Sequence, residues 1–160
     1  MTLSERIAAL YRRLEGAQWI PQLLVRLFLG GFFALSGYRH VKFLDAIVER
    51  FTDWGIPMPY FNAVLSSYTE LIGGALILLG LGTRIVALPL AFNMLIAIVT
   101  VKLKKVDGIG DFLALDEPLY GLVFFWLFFA GAGKASLDYV IARARGPSAS
   151  APIAAPLRTP

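Results

Sequence analysis

Glu70 is a carboxylate set well inside the apolar run Ser66-Ser67-Tyr68-Thr69-Glu70-Leu71-Ile72-Gly73-Gly74-Ala75-Leu76-Ile77-Leu78-Leu79-Gly80. An acid in hydrocarbon costs about 2.5–3.5 kcal/mol on insertion scales, so it must face a partner or a cavity. At helical spacing, Ala63, Ser66, Ser67, Glu70, Gly73, Gly74 and Ile77 share one face. That face is small and polar, and small residues let a second helix come close. A carboxylate held this way can exchange a proton with a bound molecule. It can also do no more than pair with a cation and fix helix register.

The groups able to answer Glu70 are few. Arg26, with Gly30, Phe33 and Gly37, marks one face of an earlier apolar run; Arg39 and His40 stand at that run's end, and Asn93 lies in the middle of a third run. Helix rise places Arg26 roughly 8–10 Å deeper than Glu70, with Arg39 above it and Asn93 at intermediate depth. The expected cationic partners of Glu70 are therefore Arg26 and Arg39, and the ligand-binding set is Arg26, Arg39, His40, Ser66, Ser67 and Asn93. One histidine and no cysteine give no expected metal site, no disulfide framework and no thiol relay. The same two facts leave no intrinsic haem, flavin or iron–sulfur cofactor to expect, since a single histidine supplies at most one axial ligand.

What must hold these groups is a membrane fold. The 160 residues are 58% hydrophobic, with a mean hydropathy of +0.68, above the ~45–50% apolar content of soluble chains. The excess falls in four blocks, so the expected class is all-α: an integral membrane four-helix bundle with spans at about 19–38, 61–82, 85–101 and 118–135. Residues 1–18 pattern as an amphipathic interfacial helix, with Thr2 and Glu5 at capping-box spacing and Leu3, Ile7, Leu10 and Leu14 on one side. No apolar core falls within the first dozen residues, so no cleavable signal peptide is expected. Between the first two spans, Leu44, Ile47, Val48, Phe51 and Trp54 recur at helical spacing, which predicts a surface helix stopped by Gly55 and Pro57-Met58-Pro59. The turn Leu81-Gly82-Thr83-Arg84 is short enough to make spans two and three an antiparallel hairpin. The membrane domain is expected over 19–145, followed by a disordered tail over 146–160.

Partners follow from charge. The net charge of +4 comes without a Lys/Arg run or a phosphate loop, so the bilayer is the expected partner and nucleic acid is not. Eight basic residues on the side of the termini face six on the other, Arg26 aside, which favours cytoplasmic termini.

In order along the chain, Arg26-x3-Gly30-x6-Gly37, Gly55-Ile56-Pro57-x-Pro59, Glu70-Leu71-Ile72-Gly73-Gly74, Gly80-Leu81-Gly82-Thr83-Arg84 and Gly131-Ala132-Gly133-Lys134-Ala135-Ser136-Leu137-Asp138 resemble the DoxX family of small bacterial membrane proteins. The resemblance covers about residues 20–140. It implies a compact four-helix domain in the bacterial inner (plasma) membrane. It also implies a subunit of a quinone-linked redox or detoxification complex, with Glu70 handling protons, quinone as ligand, and a membrane or peripheral protein partner or further copies of the chain. The family's basic residue after the last glycine of span one corresponds to Arg39, displaced by a position. Thiol transfer, known among related proteins, does not carry over to a chain without cysteine. Two other readings stand beside this one: a non-catalytic assembly or partner-docking subunit, and a small-solute or metal-related transporter that would need oligomers to form a path. On none of them is the chain an enzyme by itself.

Overall fold

The computed structural model describes residues 3–145. Thr2, and with it the predicted capping box, and the predicted tail over 146–160 lie outside them. Among the described residues every element of regular structure is a helix. A nearly unbroken helical run extends from Leu3 to Lys42, 40 residues in all. It comprises α1 (Leu3–Gly16), two turn residues, α2 (Trp19–Val25), a π segment (Arg26–Gly30) and α3 (Gly31–Lys42). Then come α4 (Leu44–Asp53), α5 (Pro59–Leu79) and α6 (Thr83–Ala97), the last continued by a second π segment (Ile98–Lys102). A short 3-10 turn, α7 (Ile109–Leu113), α8 (Asp116–Ala130) and α9 (Leu137–Ala144) complete the chain.

Among the described residues, three helices are long and apolar enough to cross a membrane: Leu3–Lys42, Pro59–Leu79 and Thr83–Lys102. The fourth expected span is shorter than its apolar run. Its helix, α8, has 15 residues, about 22 Å at helical rise, against a hydrocarbon core of about 30 Å. Gly131 ends it in a positive-φ conformation (φ +76°), and residues 131–136 fold back irregularly. The chain therefore spends residues 131–135, four of them glycine or alanine, on a connection that the sequence pattern assigns to a helix.

The predicted stripes form the packing surfaces. Arg26, Gly30, Phe33 and Gly37 are all buried, as are Ala63, Ser67, Glu70, Gly73, Gly74 and Ile77. α3 packs along α5, and α6 along α8. The core lies between them: Leu29, Phe33, Ile77, Ala87, Leu90, Met94, Phe124 and Leu127. Phe33 closes it with edge-on contacts to Tyr120 and Phe124 at 5.4 and 4.9 Å between ring centroids. The predicted surface helix is present as α4, and it packs on α5 with Ile47 buried. Met58, between two prolines, adopts left-handed φ/ψ at the start of α5, and Asn62 Nδ2 donates to the Pro57 carbonyl at 2.6 Å. α1 buries none of its residues, so its leucine and isoleucine stripe is exposed.

The α3–α5 contact depends on two missing side chains. A Cβ on Gly74 would fall against the backbone of Ala34, and one on Gly37 against that of Leu71. Backbone cannot swing aside as a side chain can. Gly74→Ala is thus expected to cost about 3 kcal/mol, the upper part of the overpacking range. Gly31→Ala, on α3 but facing open space, is expected to be neutral or mildly stabilising. Melting of the two variants in detergent, side by side, checks this; equal melting would refute the close approach.

Candidate functional site: a buried acid–histidine cluster at a cavity

Glu70 sits midway along α5, 7% exposed, and receives groups from two other helices. From α3, His40 Nδ1 lies 3.0 Å from Glu70 Oε2, and Ser36 Oγ donates to the same oxygen at 3.3 Å. From α6, Asn93 Nδ2 donates to Glu70 Oε1 at 3.1 Å. Ser66, one turn before Glu70, donates its hydroxyl to Asn93 Oδ1 at 3.1 Å. That bond leaves the amide nitrogen of Asn93 facing the carboxylate. Both carboxylate oxygens are thereby engaged, and the pair with His40 is ionic when the imidazole is protonated.

The two arginines expected to pair with Glu70 do other things. Arg26 is 1% exposed and points away from Glu70, towards the end of the bundle that carries the 80–82 turn. Its Nε donates to the Ile77 carbonyl at 2.9 Å and its Nη2 to the Leu78 carbonyl at 3.1 Å. Its Nη1 donates to the carbonyls of Ala132 and Ala135 at 2.7 and 2.9 Å. The reason is local: the last carbonyls of α5 lack helical partners and form the negative end of its dipole. Arg39 is exposed and touches neither carboxylate oxygen. Ser67 is fully buried, but its hydroxyl donates to the Ala63 carbonyl of its own helix at 2.6 Å. Of the sequence-derived set, the structure gathers His40, Ser66 and Asn93 around Glu70 and leaves Arg26, Arg39 and Ser67 out.

Ser36 was not singled out by sequence reasoning. The signal was its place one turn before His40, which puts both on one face of α3. Lys102 and Glu117 were also unforeseen. They form an ion pair at 2.6 Å that ties the end of the second π segment to the start of α8.

The cluster borders a cavity of about 790 Å³, whose lining includes Glu70, His40, Asn93, Phe33, Trp54 and Tyr120, with Lys102 and Glu117 also on its wall. Its size is in the range that encloses a drug-sized molecule, and a mostly apolar wall with a few converging polar groups is the usual make-up of a ligand site. Chemically, the arrangement can hold an oxygen-bearing ring and exchange a proton with it. Among the described residues, no group of three or more histidine, cysteine or acidic side chains could hold a metal ion.

At the opposite end, Asp138 accepts from the backbone N–H groups of Gly82 and Thr83 at 2.7 and 3.1 Å. Its own N–H donates to the Gly80 carbonyl at 2.9 Å. Ser136 caps α9 through the Tyr139 N–H. The fourth and last of the motifs recognised in sequence, the tight turn and the segment ending in Asp138, thus build one structural clasp with Arg26 at its centre.

An all-helical membrane protein with an acid–histidine site enclosed by its helices is the class that this architecture defines. The DoxX family model matches residues 22–103, a stretch holding Arg26, Glu70, His40 and Asn93, and the chain belongs to the DoxX family. It is 33% identical over 153 residues to "Uncharacterized membrane protein Rv3486" of Mycobacterium tuberculosis, covering 86% of this chain and 92% of that protein. It is 38% identical over 85 residues to "Putative oxidoreductase CatD" of Bacillus subtilis, covering 53% of this chain and 62% of that protein. No solved structure matches it.

Proposed function

We infer that this chain is the ligand-binding membrane subunit of a quinone-linked redox complex, with Glu70 as its intramembrane acid. The observation that carries the reading is the engagement of Glu70 Oε2 by His40 at the wall of a large aromatic-lined cavity. Had Glu70 served only to fix helix register, a hydrogen bond to Asn93 would suffice, and neither the histidine nor the cavity would be needed. Reduction of a quinone to a quinol takes two electrons and two protons. The electrons come from a partner protein, because the chain has no cysteine and one histidine. The protons pass through the Glu70–His40 pair, which is placed to give one to a ring oxygen in the cavity and be recharged from the loop end, where His40 is a third exposed. The name of the Bacillus subtilis relative agrees with a redox role.

In the same reading, α8 with the returning 131–136 segment completes a four-helix bundle in a bacterial inner membrane. Both termini lie on the cytoplasmic side, α1 rests at the interface, and the electron-donating partner docks outside the bundle. Native mass spectrometry of the protein in mild detergent with added menadione, wild type beside Glu70→Gln, tests the ligand site. A wild-type adduct that the variant lacks is expected; a wild type that takes up no naphthoquinone sinks the reading.

A further inference from the structure

α5 and α6 leave the three-residue turn Gly80-Leu81-Gly82 in close contact: a Cβ on Gly73 would stand 3.0 Å from Leu90 Cγ. Farther along, Asn93 bridges the pair through Ser66 and Glu70. Beyond Asn93, no hydrogen bond joins the two helices among the described residues. From there the cavity is lined by Asn62 and Leu65 from α5, by Phe92, next to Asn93, and Ile96 from α6, and by Thr100 from the π segment that continues it. The spacing of these positions, three or four apart, puts each set on one helix face. Leu65, Phe92 and Ile96 also keep 53%, 62% and 41% of their surface exposed. The same side chains therefore line the cavity and remain largely exposed, so that in a bilayer their open surface would meet hydrocarbon. A groove with apolar lips connects the Glu70 cluster to the bilayer sideways.

We propose that this groove holds the apolar tail of an amphiphile dissolved in the bilayer, whose ring-shaped head reaches Glu70 and His40. The assignment rests on the reading of Glu70 as a ligand site. A solute arriving from water gains nothing from lips of leucine, phenylalanine and isoleucine. A helix of another protein laid over the groove would cover those lips but leave the cavity behind them unfilled. A flexible hydrocarbon tail joined to a head inside the cavity fills both. Little affinity comes from the tail itself, because lipid is as apolar as the groove; what the groove supplies is a route and a fit.

The test uses two probes with the same head, menadione without a tail and menaquinone-4 with one, in phosphatidylcholine nanodiscs. Changing Trp19 and Trp126 to phenylalanine leaves Trp54, which lines the cavity, as the one tryptophan of three. Quenching of its fluorescence reports binding. Ile96→Phe fills one lip without adding a second tryptophan. It is expected to weaken menaquinone-4 about tenfold, as overfilling an occupied site does, while menadione stays within about twofold. Leu65→Phe, on the other lip, gives the same pattern and stands in if the first variant fails to fold. Leu122→Phe enlarges an exposed side chain of α8 outside the cavity and changes neither probe. Equal weakening of both probes, or of neither, overturns the tail assignment while the ligand site stands. No quenching of the wild type by either probe removes the ligand site itself. A change of oligomeric mass in Ile96→Phe, with menaquinone-4 binding intact, gives the groove to a second copy of the chain and overturns the proposal.

Discussion

Arg26→Met is expected to remove most of the folded protein. The guanidinium donates four hydrogen bonds to carbonyls on two segments, Ile77 and Leu78 at the end of α5 and Ala132 and Ala135 in the irregular return after α8. Each hydrogen bond from a charged donor contributes about 1.5–3 kcal/mol. The four share one side chain and are not additive, so a loss of about 3–5 kcal/mol is expected, as for breaking other buried charged contacts. That is a large part of the ~5–15 kcal/mol margin of a typical domain. Methionine fills much of the volume, so the effect isolates the donors. Lysine should rescue only in part, because three donors on one nitrogen cannot copy a planar fork aimed at two segments. Gly80 belongs to the same device: it has φ +67°, and a Cβ there would fall on the Arg26 guanidinium. The check is the fraction of monodisperse protein against temperature in detergent, for wild type, Arg26→Lys and Arg26→Met. Melting of the methionine variant alongside wild type would remove the clasp from the account.

Glu70→Gln and Glu70→Leu are expected to separate chemistry from stability. Glutamine keeps an oxygen for Asn93 or Ser36 and loses the acid. It should fold like wild type and lose menadione affinity about tenfold or more, the scale of one charge-assisted hydrogen bond. Leucine leaves Asn93 Nδ2, Ser36 Oγ and His40 Nδ1 without the acceptor they now share. Each buried donor left unsatisfied costs up to about 1–3 kcal/mol, so the leucine variant should also melt earlier. Naphthoquinone titrations and melting curves on the same preparations read both effects. If the glutamine variant binds as wild type does, Glu70 is no ligand contact. If the leucine variant melts as wild type does, the hydrogen bonds around it contribute nothing net.

The family match adds a constraint to these expectations. It ends at residue 103, before α8 and the return segment that Arg26 holds. The Glu70 cluster is wholly inside the matched stretch, whereas half of the Arg26 clasp is outside it. The mycobacterial relative, aligned over 153 residues, extends beyond that boundary and is the better comparison for the clasp.

Much of the fold was legible because hydrocarbon imposes simple rules. Long apolar runs separated by charged or glycine–proline segments have few solutions, and a two-sided run with a small face must bury that face. The stripes through Arg26–Gly37 and Ala63–Ile77 needed no partner to be read, and α4 announced itself by its amphipathic period. Composition also excluded thiol and cluster chemistry. The length of α8 was not legible, since phenylalanine and tryptophan favour the bilayer whether or not the backbone stays helical to the end of the run. What ended the helix was Gly131 and a return segment whose carbonyls are satisfied by a residue more than a hundred positions earlier.

For the site, the sequence by itself determined that Glu70 lies on a buried polar face and that some group must answer it. It could not determine which group. Depth along the membrane ranks candidates by height alone, and Arg26, Arg39, His40 and Asn93 all fell within reach of a long side chain. Tertiary structure decided the matter by direction. α3 turns Ser36 and His40 towards α5 and leaves Arg39 on the outside, while the Ile77 and Leu78 carbonyls at the end of α5 draw Arg26 the other way. A charge goes where the strongest unsatisfied partners are, and those partners exist only once the helix ends and the returning loop have been brought together.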